Sequence, residues 1–135
     1  MTKTPAFVLA ALVAVTGFAG SLSAQPPLKD VQRVRDGIIH VGMAYEISEK
    51  CSSIRARTWR GINFLQSLKN HAEQLGYTDA QIEAYINDDA EKDRLEAIAR
   101  GELARLGIVE GNEATYCSVG RSQIAANTRV GWLLR

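Results

Sequence analysis

The two cysteines of the chain, Cys51 and Cys117, are the residues with the most reactive side chains. Cys51 stands in the stretch EISEKCSSIRARTWRGI, directly before a run of arginines, and Arg121 follows Cys117 closely. Neighbouring cations lower the pKa of a thiol and favour the reactive thiolate. Three kinds of site therefore have to be distinguished: a reactive thiol, a metal ligand and half of a disulfide.

Residues 1–24 have the pattern of a secretory signal peptide, which bears on that choice. Lys3 is followed by an apolar run at residues 6–19 and then by small residues that end at Ala24. We expect cleavage after Ala24, with cleavage after Ser23 as the neighbouring alternative. The apolar run is shorter than the roughly 20 residues that a membrane-spanning helix needs, so a retained anchor is the weaker interpretation. The sequence thus predicts export to the periplasm.

The remaining chain, residues 25–135, is long enough for one small domain and too short for two. The whole chain has a formal net charge of +1, and Lys3 is the one charged residue of the leader, so the mature domain would be neutral. Electrostatic binding of nucleic acid requires an excess of basic residues. We therefore expect no nucleic-acid partner, and instead a protein, a cell-wall component or a membrane complex.

Export favours the disulfide interpretation of the cysteines, because the compartment is oxidising and an even number of cysteines there usually pairs. Cys51 and Cys117 are 66 residues apart, and closing a loop of that length stabilises a domain by about 4 kcal/mol in the chain-entropy account. A redox pair would need C-x-x-C spacing, and a zinc site would need His40 and His71, which lie far apart in sequence. The sequence thus predicts a structural disulfide, no metal and no cofactor.

Helical periodicity runs through most of the chain after the leader, so the predicted fold is an all-α bundle of four to five helices. A helix that is apolar on a wide arc is more often central in a bundle than at its edge. The first helix has such an arc, made of two lines of apolar residues at three- and four-residue spacing: Val31, Val34, Ile38, Val41 and Tyr45, and then Ile39, Met43 and Ile47.

The later helices have recognisable ends. A second helix is expected over 52–75, capped by Ser52 or Ser53 and ended by Gly76 in a left-handed conformation. Thr78 begins a capping box that opens a short third helix. The fourth helix and the last helix are expected at about 88–106 and 115–135, so the disulfide would join the start of the second helix to the start of the last.

Neither a calcium site nor a catalytic site is indicated. The EF-hand pattern requires a glycine at its sixth position and a glutamate at its twelfth, and the acidic cluster before the fourth helix supplies neither. A solvated, helix-capping turn is the favoured interpretation of that cluster. The sequence also lacks G-x-S-x-G, H-E-x-x-H and a phosphate-binding glycine loop, so we expect no enzyme. The cluster consists of Asp88, Asp89, Glu91 and Asp93.

Trp59 is the strongest candidate for a partner-binding residue. It lies off the apolar face of the second helix, near Arg55 and Arg60, and tryptophan and arginine are enriched in protein interfaces. The alternative is that another segment covers it. Trp132 belongs to an apolar end that either docks into the bundle or remains free as a sticky tail. We therefore predict an interface formed by Arg55, Trp59, Arg60 and Trp132.

Three long stretches resemble a family of small exported proteobacterial proteins that carry a domain-of-unknown-function label. They are GMAYEISEKCSSIRAR, LGYTDAQIEAYINDDAEKDRL and YCSVGRSQIAANTRVGWLLR. The resemblance spans nearly the whole mature chain, and Cys51 and Cys117 match as a pair. Some relatives are encoded among the subunits of respiratory complex I, which implies an accessory or assembly role at that membrane complex. The resemblance transfers no active-site residue to this chain.

Three classes of function follow from these observations. The favoured class is a non-catalytic interaction or accessory protein, for which the resemblance implies attachment to a respiratory membrane complex, with the predicted interface as the candidate contact. The second is a periplasmic chaperone or an inhibitor of the immunity type, because disulfide-linked helical proteins of this size include both. The third is a thiol oxidoreductase, in which replacing either cysteine would abolish activity without unfolding the domain.

Overall fold

The computed structural model describes residues 24–135, so the predicted leader lies outside the described residues apart from Ala24. A short 3-10 helix, Leu28–Asp30, precedes six α-helices, and no strand occurs within this part of the chain. The all-α prediction is confirmed, with five longer helices and a final one of four residues. The helices are α1 Gln32–Lys50, α2 Thr58–Gln74, α3 Asp79–Ile86, α4 Asp89–Arg105, α5 Glu113–Ala125 and α6 Arg129–Trp132.

The first helix is the centre of the bundle, as its wide apolar arc predicted. Helix α1 packs against α2, α4, α5 and α6 and against the 3-10 helix. Ile39, Met43 and Ile47, one of its two apolar lines, are all buried, and Ile47 is fully inaccessible to solvent. Burying a side chain of this size stabilises the fold by about 1.5–3 kcal/mol. The other line, in contrast, is buried at Val34, which is 4% exposed, and open at Tyr45, which is 60% exposed.

Most of the predicted helix ends are confirmed. Gly76 directly follows Leu75, the C-cap residue of α2. Its φ of +91° is a backbone conformation that favours glycine. Thr78 caps α3, and its side chain accepts a hydrogen bond from the Gln81 amide in a complete capping box. Asp88 caps α4 by accepting from the Glu91 amide at 3.0 Å. Local sequence signals therefore located these helix boundaries correctly.

The predicted start of the second helix at 52–53 is wrong, because α2 begins at Thr58. The chain before it pairs with residues 133–135 instead. The Arg55 amide donates to the Arg135 carbonyl at 2.8 Å, and the Arg135 amide donates back to the Arg55 carbonyl at 2.9 Å. These bonds satisfy backbone N–H and C=O groups that hydrogen bonds within a helix would otherwise satisfy. The pairing partner is remote in sequence, so local periodicity could not reveal it.

The predicted last helix, 115–135, is also two helices rather than one. Asn127 interrupts it with a φ of 49°, in the left-handed region that asparagine tolerates better than most residues. Thr128 then caps α6 by accepting from the Gly131 amide at 3.0 Å. At Gly131 a Cβ atom would collide with the carbonyl group of Gln123, so the close corner between α5 and α6 requires glycine.

Candidate functional site

The predicted disulfide between Cys51 and Cys117 is present, with a Cα–Cα distance of 5.1 Å. Cys51 is the cap residue at the end of α1 and Cys117 lies near the start of α5. The bridge therefore joins the end of the first helix to α5, and the prediction that it starts from the second helix is wrong. The two residues are 1% and 9% exposed. Thiol–disulfide exchange needs access to a sulfur atom, so this geometry is that of a structural bridge.

Arg60 and Trp132, two of the four predicted interface residues, lie together and stabilise the fold. The Arg60 guanidinium donates to the Trp132 carbonyl at 3.0 Å and lies 5.0 Å from the centre of the indole. Arg129 also lies 5.0 Å from that ring, and the Phe64 ring meets it edge-on at 6.2 Å. Cations and aromatic rings in these positions attract one another. Trp132 is therefore docked, as the first of the two alternatives predicted.

Neither Arg55 nor Trp59 contributes a side chain to the contacts around Trp132 described above. The Arg55 backbone pairs with that of Arg135, while its side chain is exposed. Trp59 lies in the first turn of α2 and is 78% exposed, so no other described segment covers it. The structure thus brings Arg60 and Trp132 into contact with each other and leaves the side chains of Arg55 and Trp59 exposed.

An open apolar groove lies between α2 and α4, a feature that the sequence had not revealed as a site. Helix α1 forms its floor and α3 closes one end, and its volume is about 620 Å³. Its apolar lining includes Ile38, Val41 and Tyr45 of α1, Leu65 and Leu68 of α2, Ile86 of α3 and Leu95 of α4. We call this feature the apolar groove.

A close contact between α1 and α2 sets the position of one wall. At Gly37 a Cβ atom would lie 2.6 Å from Cδ1 of Leu68, so the missing side chain lets α2 approach α1 here. Leu68 is 3% exposed, whereas Leu65, one turn earlier on the same helix, is 41% exposed at the groove edge. The helix therefore buries one apolar edge against α1 and leaves the next edge open.

That open edge continues along α2 as a line of exposed apolar side chains. Leu65, Ile62 and Trp59 follow one another at three-residue spacing, which makes them neighbours on a helix surface. Ile62 is 50% exposed and Trp59 is 78% exposed. The line starts inside the apolar groove at Leu65 and ends on the outer surface of α2 at Trp59. We call these three residues the α2 ridge.

Polar groups at the closed end of the groove are arranged around Tyr85. Its hydroxyl is buried and has no hydrogen-bond partner among the described residues. Glu91, which also lines the groove, accepts two hydrogen bonds from Arg94, at 2.8 and 2.6 Å. Those bonds hold the pKa of Glu91 below its usual value, so it remains ionised. Burial, with the nearby Glu91 charge, raises the pKa of Tyr85 to about 12, so its hydroxyl remains a neutral donor.

A second, more polar cleft of about 560 Å³ lies between α1, α4 and the corner before α6. It contains His40, whose pKa is lowered mainly by burial and further by Arg129, with Asp36 opposing. Thr128 also lines this cleft, but its hydroxyl accepts from the Gly131 amide as a helix cap and donates to Oε1 of Gln123 at 2.7 Å. The cleft therefore offers no free hydroxyl nucleophile beside the imidazole. No group of three potential metal ligands occurs within residues 24–135.

The residues of the groove did leave a signal in the sequence. The line Val34, Ile38, Val41 and Tyr45 gives α1 more apolar surface than its neighbours in the fold can cover. Ile62 and Leu65 similarly extend the apolar face of α2 beyond its contact with α1. Periodicity identified these residues as apolar faces, but it assigned them to the core, because a pattern does not show whether a facing helix exists.

Comparison with known proteins places the chain in a family. No curated protein and no solved structure matches it significantly. None of the helices within residues 24–135 is both long enough and apolar enough to cross a membrane. The model of a family described as "Family of unknown function (DUF5333)" matches residues 26–135. Since that match covers nearly all of the described bundle, including both bridged cysteines, the chain belongs to the DUF5333 family.

Proposed function

We propose that this protein is exported and acts as a non-catalytic interaction or accessory protein, with the apolar groove and the α2 ridge as its binding surface. The observation that carries the proposal is the exposure of large apolar side chains that line the apolar groove. Tyr45, Leu65 and Ile86 are 60%, 41% and 58% exposed. A contiguous exposed apolar surface in a small protein is typical of an interaction site.

Two observations support action outside the cytoplasm. The leader has the order of charged, apolar and small residues that signal peptidases recognise, with Gln25 as the expected first residue of the mature chain. The Cys51–Cys117 bridge is of the kind that persists in oxidising compartments. N-terminal sequencing of the protein from the periplasmic fraction would test this part of the proposal, and a retained Lys3 would contradict it.

The proposed partner is a protein of a membrane respiratory complex. This choice comes from the resemblance to relatives encoded beside complex I subunits, and the chemistry of the apolar groove is suited to a protein surface with protruding apolar side chains. Interfaces of this type are dominated by a few buried aromatic and aliphatic contacts. On this proposal Trp59 and Ile62 supply such contacts from this chain.

The experiment is co-purification of the tagged, disulfide-intact protein from gently solubilised membranes of its native host, with mass spectrometry of the bound proteins. Ile62→Asp places a charge on the α2 ridge. Val109→Asp is the matched control, because Val109 is 58% exposed and does not line the apolar groove. We expect stoichiometric recovery of a membrane complex with the wild type and the control, and its loss with Ile62→Asp.

Recovery of the protein alone from both membranes and periplasm would contradict the accessory role. Equal recovery of the complex with the wild type and with Ile62→Asp would contradict the assignment of the binding surface, but it would not contradict the accessory role. Circular dichroism of the variants would show that the helices are retained, as expected for substitutions at exposed positions.

A periplasmic chaperone is the second candidate, because an open apolar groove could also hold unfolded clients. An acid-activated chaperone would loosen below about pH 3, as its carboxylates protonate, and would then suppress aggregation. Measuring aggregation of a denatured client at pH 7 and pH 3, with wild type and Ile62→Asp, separates this candidate from the accessory role. Suppression that depends on Ile62 would favour the chaperone.

A further inference from the structure

Two segments of the chain contain basic side chains and no acidic ones. Residues 50–72 have five basic residues, and residues 114–135 have three. The expected mature domain is neutral as a whole, so its positive charge is concentrated in these segments. The mutual backbone hydrogen bonds between Arg55 and Arg135 bring the two segments together in the fold.

Five arginines meet where these segments pair. The Arg57 amide donates to the Leu133 carbonyl at 2.7 Å, which extends the pairing by one step. The Arg60 and Arg129 guanidinium groups each lie 5.0 Å from the centre of the Trp132 ring. We call this group the arginine cluster, and its members are Arg55, Arg57, Arg60, Arg129 and Arg135.

The arginine cluster has no counter-charge of its own. None of its members forms an ion pair with a carboxylate of residues 24–135. Two acidic residues lie at its margins and are bonded elsewhere. Glu113 accepts from the amide and the hydroxyl of Ser52, and Asp36, which shares the second cleft with Arg129, accepts from Arg35. Like charges held close together repel one another, so an anionic partner that covers the cluster gains free energy.

Three of the guanidinium groups are held in place by contacts that leave most of their donors free. Nε of Arg57 donates to the Leu134 carbonyl at 2.8 Å, and Nη1 of Arg60 donates to the Trp132 carbonyl at 3.0 Å. Arg129 is held against two aromatic rings. A guanidinium has five N–H donors, and each of these arginines uses at most one of them within the described residues.

We propose that the arginine cluster binds an acidic surface of a protein partner, whose carboxylates accept hydrogen bonds from these free donors. Arginine pairs with a carboxylate through two parallel hydrogen bonds, and positioning the guanidinium in advance lowers the entropy cost of forming them. The fixed positions favour a folded protein over a lipid surface, because the headgroups of a fluid bilayer are not held at fixed positions. Trp59 of the α2 ridge directly precedes Arg60, so one partner can cover both features.

The test is the binding of fluorescently labelled poly-L-glutamate to the oxidised protein, expressed with its own leader and followed by fluorescence anisotropy. The double variant Arg55→Glu/Arg135→Glu reverses two charges whose side chains are exposed and make no hydrogen bond within the described residues. The matched control is Lys29→Glu/Arg33→Glu. Both control residues are exposed, and they lie near the start of α1, roughly 25 Å along that helix from its end.

We expect the wild type and the control to bind poly-L-glutamate at about 50 mM NaCl and to lose that binding at about 500 mM, where the Debye length is only about 4 Å. The double variant should bind about tenfold more weakly or worse at the lower salt concentration, because like charges then face one another. Circular dichroism of the variants would show that the helices are retained.

Equal affinity of the wild type and the double variant, or no binding by the wild type at low salt, would overturn the proposal. Vesicles that contain phosphatidylglycerol are the second probe. A wild-type protein that sediments with these vesicles and does not bind poly-L-glutamate would overturn the choice of a protein over a bilayer.

The inference rests on the proposed function in taking a protein as the partner, and the two fail differently in the co-purification described above. A membrane complex recovered equally by the wild type and by Arg55→Glu/Arg135→Glu, at low and at high salt, overturns the acidic contact alone. Binding of poly-L-glutamate through the arginine cluster, with no complex recovered, overturns the accessory role alone.

Discussion

Reduction of the Cys51–Cys117 bridge should remove a large part of the stability of the domain. The bridge closes a loop with a sequence separation of 66 residues, which contains α2, α3 and α4. Without it, the unfolded chain regains the conformations that the loop excluded. The chain-entropy relation gives about 4 kcal/mol for a loop of this length. Small domains have a total free energy of unfolding of about 5–15 kcal/mol, so the reduced protein should be marginally stable.

The assay is urea unfolding of the oxidised protein and of the same protein kept reduced, followed by circular dichroism. For an m-value of about 2 kcal/mol/M, a loss of about 4 kcal/mol lowers the urea midpoint by about 2 M. The double variant Cys51→Ala/Cys117→Ala is the control for a contribution of the thiols themselves. It should resemble the reduced protein, with a further loss from the small cavities that it creates.

Equal midpoints for the oxidised and reduced proteins would refute this reasoning, because the loop would then not limit the unfolded chain. Free thiols in the exported protein, detected by alkylation without reduction, would refute the bridge itself. The same data test the hypothesis that the protein is a thiol oxidoreductase. That hypothesis predicts that cysteine replacement abolishes activity and leaves stability unchanged. Slow reduction of the native protein by dithiothreitol is expected in addition, because Cys51 is 1% exposed.

Three further predictions concern the fold. Gly120→Ala should lower the free energy of unfolding by about 1–3 kcal/mol, because its Cβ would lie 2.5 Å from Cδ1 of Ile54, whereas the control Gly101→Ala, with no atom within 4 Å, should be neutral or stabilising. Truncation after Trp132 should cost about 3–6 kcal/mol in the same urea assay, because it removes two leucines that are 3% and 1% exposed; unchanged stability would contradict the docked end. Glu91→Gln should lower the free energy of unfolding by about 0.5–1 kcal/mol at pH 7, because it removes the ion pair with Arg94. The loss is small because Arg94 is partly exposed and solvent screens the pair. The folded-state pKa of Glu91 is lowered, so its contribution is complete above the unfolded-state pKa and is lost as pH falls through the folded-state pKa. The variant and the wild type should therefore converge once the pH falls below the folded-state pKa of Glu91, and a constant difference would argue against the ion pair as the cause.

The sequence predicted those parts of the fold that depend on local signals. Thr78 and Gly76 marked real helix ends, because a capping hydroxyl and a left-handed glycine act on their immediate neighbours. The bridge was predictable from the even number of cysteines and the expected export, and the central position of α1 from the width of its apolar arc. Each of these inferences needs only a short stretch of sequence or the number of cysteines.

The extended segment before α2 and the groove could not be predicted in this way. Ile54 lies on the apolar stripe that extends α2 backward, yet pairing of its neighbours with residues 133–135 holds it outside the helix. Tyr45 and Leu65 belong to apolar stripes that normally indicate burial, but no described helix faces them. Both outcomes depend on which distant segment packs against a surface. The periodicity of a sequence does not show which segment that is.

The pairing of Arg55 with Arg135 also determines when the domain can finish folding. Helices α1 to α4 can form while the chain is still being made, but the ring of contacts around the end of α1 remains open until residues 133–135 are available. Closure over so long a sequence separation is slow relative to local helix formation. The described bundle is therefore closed last at this contact, after residues 133–135 have been synthesised.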